Sequence, residues 1–180
     1  MDIAQQLKER SIAEYLLYMW QQEDLVRAYN HDIDRLDREY LSRFDQSEEE
    51  REAMRTWYEN LNEMMREEHV EEKGHVQVNR NIIILLDDLH AQLLHSSKHP
   101  FYSAAYYKAL PFIVELRSKS GTKDESEIEN CFDALYGLLL LRLQGKKVSK
   151  ETQGAMKSIS DFLAQLSAFY KEDKEGTLEL

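Results

Sequence analysis

Glu23 is a carboxylate set among apolar residues, and it is the first residue of this chain whose surroundings could do chemistry. At 100° per residue, Ile12, Tyr15, Leu16, Met19 and Val26 fall on one side of a helix drawn from Ser11 to Tyr29. Glu23 lies about 20° from Ile12 on that wheel. An ionised carboxylate buried alone costs several kcal/mol, so this one needs a partner. Arg27 offers itself at i+4, in the favourable order of acid before base. Arg142 is the second candidate, on the Ile128, Cys131, Leu135, Leu138 side of a later helix. The first choice predicts a local pair, with Arg142 reaching the rim. The second predicts a buried Glu23–Arg142 pair. Sequence leaves both open.

Metal ligation would use carboxylate and histidine three residues apart on a helix, because both then project towards one ion. Asp87 and His90 have that spacing, as do Glu72 and His75 with Gly74 between them. A bundle metal centre also needs inward carboxylates from two further helices, and Glu23 is the one good candidate. The expectation is therefore surface or rim roles, with no metal and no cofactor. Tyr102, Tyr106 and Tyr107, with Phe101 and Phe112, form an aromatic group beside Pro111. It reads as core with hydroxyls reaching out, or as the lining of a ligand groove or partner surface. Cys131, the only cysteine, sits among Ile128, Phe132 and Leu135 and reads as a buried, reduced thiol. The chain carries no G-x-S-x-G, P-loop, G-x-G-x-x-G, H-E-x-x-H or C-x-x-C pattern, which points away from catalysis.

The elements that must place these residues are helices. Only 6 Gly and 2 Pro interrupt 180 residues rich in strong helix formers, so the fold class expected is all-α. The periodicity predicts a single-domain bundle of six or seven helices over residues 1–170, with a polar tail over 171–180 that frays. One helix ends at Tyr29, and a second turns Ile33, Leu36, Tyr40 and Phe44 inward. Ser47 and Glu50 form a capping box that opens a third, with Met54, Trp57, Tyr58, Leu61 and Met65 as its stripe. A fourth presents Val78, Ile82, Leu85, Leu86, Leu89 and Leu93. His99-Pro100 ends it and starts a fifth, which Pro111 should kink or split. After a break at 118–124, Ile128 to Leu143 is apolar almost all round and reads as the central, covered helix. Ser149 caps the last.

Net charge is −11 and no long basic run exists, which argues against nucleic acid and anionic membranes as partners. The longest apolar stretch, Ala134 to Leu141, is too short to span a bilayer. The N-terminal MDIAQQLKER lacks the apolar core of a secretion signal, so the chain is expected in the cytoplasm. The stretch Ile12 to Gln21, continuing through Glu23-Asp24-Leu25-Val26-Arg27-Ala28, resembles the opening of an uncharacterised bacterial family catalogued as a domain of unknown function. The likeness extends over most of the chain, including Asn79 to Leu89. It implies an all-helical domain and supplies no activity, cofactor or catalytic residue. The functional expectation is a non-catalytic helical protein acting through protein contacts or self-association, as a homo-oligomer or with a protein partner yet to be named. The alternative is a bundle enzyme or a small-ligand or metal binder with an interior site around Glu23 and Arg142.

Overall fold

The computed structural model describes residues 2–121 and 124–180, and among them every regular element is helical. Eight α-helices follow one another: α1 Ile3–Arg10, α2 Ile12–Ala28, α3 Ile33–Glu39, α4 Glu48–Glu67, α5 Gln77–His95, α6 Pro100–Ser120, α7 Glu127–Leu143 and α8 Lys150–Glu175. A short 3-10 turn, Leu41–Arg43, lies between α3 and α4. The expected count of six or seven falls short because the first helix is two. Ser11 leaves helical geometry (φ −156°) while its N–H still closes on the Leu7 carbonyl, so α1 ends one residue before α2 begins.

Five of the helices start where short polar side chains accept their orphaned N–H groups. Ser47 accepts from Glu50 N–H, and Glu50 reaches back to the Ser47 N–H, completing the expected capping box. Asp2, Asp32, Ser126 and Ser149 cap α1, α3, α7 and α8 in the same way, three residues upstream of the donor. Residues 30 and 31 end the α2 segment with positive φ at both Asn30 (52°) and His31 (63°). The His31 N–H bonds to the Val26 carbonyl there.

Contacts gather the chain into two compact units. The first comprises residues 1–17 and 82–180, the second 18–81, so α2 and α5 each supply residues to both. In the first unit α6 packs on α7 and α8, and α7 on α8. Ile113, Ile128, Phe132, Ile159 and Phe162 are buried there. Ser167 on α8 reaches the α1–α2 joint: its hydroxyl is 3.1 Å from that of Ser11 and accepts the Ala13 N–H. In the second unit α3 packs on α4, with Trp20, Val26, Leu36, Leu41 and Met65 buried. Arg51 and Arg55 of α4 both reach Asp37 of α3, and Arg55 also bridges Asp34 and Glu59. The hydrogen bond and charge of Arg51 hold the Asp37 carboxyl below its usual range.

Several expected packing roles are revised. Pro111 neither splits nor ends α6, which runs unbroken from Pro100 to Ser120. The proline is exposed, so the carbonyl deprived of its N–H partner lies on the watered side of the helix. Phe44, Val78 and Leu85, expected inward, are about half exposed. The supposedly central helix α7 is covered mainly over its first half, and Leu143 at its end is 63% exposed. The tail expected to fray continues α8 to Glu175, where Gly176 closes it with positive φ (74°). Of the break at 118–124, Thr122 and Lys123 lie outside the described residues. Among those described, no helix is long and apolar enough to cross a membrane.

Candidate functional site: the polar seam of α2 and the outer face of α6

In the second unit Glu23 and Arg27 of α2, and His31 just beyond its end, stand four residues apart, and all three reach backbone of the segment 70–76. Glu23 has no exposed surface. One of its oxygens accepts the Val76 N–H at 3.0 Å, and the other lies 3.1 Å from His75 Nδ1. Val76 immediately precedes α5, so the carboxylate places negative charge at a helix N-terminus, where orphaned N–H groups favour it. Glu68 accepts the next N–H, that of Gln77, at 2.6 Å.

Arg27 donates to three carbonyls of the same segment: Val70 at 2.9 Å, Glu71 at 3.3 Å and Gly74 at 2.6 Å. Its remaining nitrogen pairs with Asp24 at 2.9 Å. A guanidinium suits this task because its five donors fan out in a fixed plane. His31 adds a contact to the Glu71 carbonyl at 3.0 Å and another to Asn62 Oδ1 at 2.7 Å. The segment turns sharply at Gly74 (φ 91°), a conformation that side chains resist. Over His75 lies Trp20, with ring centroids 4.1 Å apart and planes tilted by 10°. The seam is thus a clamp: one face of α2 holds a polar loop by its backbone and seats the start of α5.

The first unit holds its own polar group beneath α6. Tyr102 hydroxyl and His90 Nδ1 are 2.6 Å apart, and Tyr106 donates to Glu127 at 2.5 Å. Phe162 stands edge-on to His90, with centroids 5.4 Å apart. Burial lowers the His90 pKa and raises those of Tyr102 and Tyr106. A neutral His90 with its hydrogen on Nε2 can accept a hydrogen bond from the Tyr102 hydroxyl at Nδ1. The Cys131 thiol is pushed up to about 12, chiefly by burial, which keeps it protonated and unreactive.

Burial also pushes Asp87 up to about 6, against a hydrogen bond from Ser126 and with the carboxylates of Glu129, Asp88 and Glu127 adding to the rise. A free aspartic acid titrates near ~4, so the fold favours the protonated form. The stability Asp87 contributes is complete below its unfolded pKa and is lost as pH rises through about 6. Asp87→Asn should therefore flatten the loss of thermal stability between about pH 4 and pH 6 and raise the melting temperature at neutral pH. Melting curves over that range check it. An unchanged slope would remove Asp87 as the cause.

The outer side of α6 exposes large apolar side chains. Phe101 is 84% exposed, Tyr107 62% and Val114 57%, with Ala104 and Pro111 also exposed between them. The opposite side of the same helix, Tyr102, Tyr106, Ala109 and Ile113, is buried. A helix on the surface of a bundle ordinarily turns charge to water; this one also turns an apolar strip to water, beside exposed Lys108 and Glu115.

A family model described as a domain of unknown function, DUF4924, matches residues 1–177. The chain belongs to that family. No curated protein and no solved structure matches it. The family description carries no ligand or reaction, so the residues of this DUF4924 chain must be weighed on geometry alone.

On that basis the sequence candidates separate. Glu23 and Arg27 are both drawn into the seam, yet they serve the loop and not each other. Arg142, the alternative partner, is exposed near the end of α7, and the positions expected for it at Glu23 are taken by His75 and the Val76 N–H. Tyr102 and Tyr106 are core residues, whereas Tyr107 faces water and Phe112 is half-buried. The aromatic group therefore divides between the two sides of α6 and does not form one patch. Asp87 and His90 are engaged by Ser126 and Tyr102, and among the described residues no three His, Cys, Asp or Glu converge to hold an ion. His31, His75 and Trp20 were not anticipated in these roles. His75 is 52 residues from Glu23, and no periodicity within one helix connects them.

Proposed function

We propose that this protein acts by contact with another protein surface and not by catalysis, and that the outer face of α6 makes the contact. The observation that carries the reading is the row Ala104, Tyr107, Pro111 and Val114, apolar and turned to water, with exposed Phe101 off its edge near the N-terminus of α6. Phe101 and Tyr107 alone leave on the order of 300 Å² of aromatic surface exposed, enough to mark a contact site on an otherwise acidic chain. Exposed aromatics of this kind are the usual anchors of protein interfaces. The Glu23 seam supports a structural role instead, since both carboxylate oxygens are engaged within the fold. A cytoplasmic setting suits a chain whose one cysteine is a buried thiol.

The test is a photo-crosslinking amino acid placed at Tyr107 in living cells, with a second at exposed, polar Glu172 of α8 as control. Illumination should give a discrete product of higher mass from position 107 and none from position 172. Equal yields from both, or none from either, would overturn the reading.

A further inference from the structure

We propose that the partner of the α6 face is a second copy of this chain, its own α6 lying antiparallel across a twofold axis. This rests on the contact reading above and names its partner. Pro100, Ala104, Tyr107, Pro111, Val114 and Ser118 follow one another at spacings of four and three, the spacing by which one helix meets another along a continuous seam. They occupy an arc of ~80°, and all six are exposed. No charged residue lies within that row.

The exposed charges flank it on one edge, while half-buried Arg117 on the other turns inward to Asn130. Lys108 and Glu115 sit seven residues apart on the same side of the row, both exposed. Glu115 has a local partner in Lys119 at 2.7 Å. Lys108 forms no ion pair among the described residues. In an antiparallel pair, residues on the same edge of the two helices face each other. Lys108 of one copy then meets Glu115 of the other, and symmetry makes the contact twice. The midpoint of that pairing falls between Pro111 and Phe112, near the middle of the row. Pro111 then lies next to the twofold axis, and Tyr107 of one copy lies between Val114 and Ser118 of the other.

Other arrangements lose this match. A shift of one heptad sets Lys108 against Lys108. A parallel pair sets Lys108 beside Ser103 and Glu115 beside Leu110, with no opposite charge to meet. Electrostatics thus selects one orientation and one register, while the apolar row supplies the attraction. A twofold pair of single helices buries on the order of 1,000 Å² in total, at the small end of specific interfaces, so the dimer should dissociate in the micromolar range.

Sedimentation of the full chain from about 1 μM to about 500 μM tests it. The wild type should pass from monomer to dimer over that range. Lys108→Glu and Glu115→Lys each place like charges together twice and should weaken dimerisation about tenfold or more. The double variant Lys108→Glu/Glu115→Lys should restore it. Both positions are exposed, and circular dichroism of each variant establishes that its helices are intact. Tyr107→Glu, which puts a charge in the row itself, should abolish the dimer without a swap to rescue it. A wild type that stays monomeric throughout, or a dimer indifferent to the charge swaps, overturns the pairing. In either event a Tyr107 crosslink to a protein of a different mass would still uphold the contact reading, and an absent crosslink would end both.

Discussion

Glu23→Ala is expected to cost the second unit about 3–4 kcal/mol, far more than an average substitution. Three losses combine. The Val76 N–H forfeits its acceptor inside the protein, His75 Nδ1 loses the oxygen 3.1 Å away, and a void replaces a side chain with no exposed surface. A buried donor left unpaired costs more than the bond was worth when made, because water cannot replace the missing partner. Glu23→Gln separates these contributions. Its amide oxygen can still accept from Val76, and its NH₂ can donate to a His75 whose hydrogen is on Nε2. The expected loss is then about 1 kcal/mol. Both tryptophans, Trp20 and Trp57, lie within residues 18–81, so intrinsic tryptophan fluorescence during urea unfolding reports this unit directly. Alanine and glutamine variants of equal stability would mean that the carboxylate seats nothing.

The role of Glu23 was half legible in the sequence. Its place on an apolar helix face is a matter of angle, which local periodicity supplies, and so its burial could be read. Its partners could not. His75 and Val76 belong to a polar stretch, HVEEKGH, whose residues look solvated one by one. What brings them in is backbone: Arg27 and His31 bind carbonyls there, and carbonyls are invisible to any reading of side-chain types. The same limit explains Arg142. A cation on an apolar helix face resembles a buried partner, but the second half of α7 is only partly covered, and the charge faces water. Caps were legible because they are local: Ser47 and Glu50 need only each other. The division into two units left no mark, since its boundaries fall inside α2 and α5, where composition does not change. For the aromatics of α6 the sequence left core and partner surface both open, and the packed chain divides them, with Tyr106 buried and Tyr107 exposed.

Trp20→Ala carries the second large expectation, a loss of about 4 kcal/mol in the same unit. Trp20 is 2% exposed, and its indole lies flat against His75, so its removal opens a cavity and frees that imidazole. Freed, His75 no longer holds its Nδ1 towards Glu23. The carboxylate is then engaged less fully, and part of the Glu23 contribution goes with the indole. Two substitutions that act through one intermediary must be less than additive: Trp20→Ala with Glu23→Ala should cost less than the sum of the two by about 1 kcal/mol or more. Trp20→Phe retains a ring to stack and should keep most of the coupling while losing some packing. Since alanine at position 20 removes one of the two fluorescent reporters, far-ultraviolet circular dichroism supplies the unfolding signal for the cycle. Strict additivity, within about 0.5 kcal/mol, would show that His75 does not join the indole to the carboxylate. The seam would then be two independent contacts that happen to share a loop.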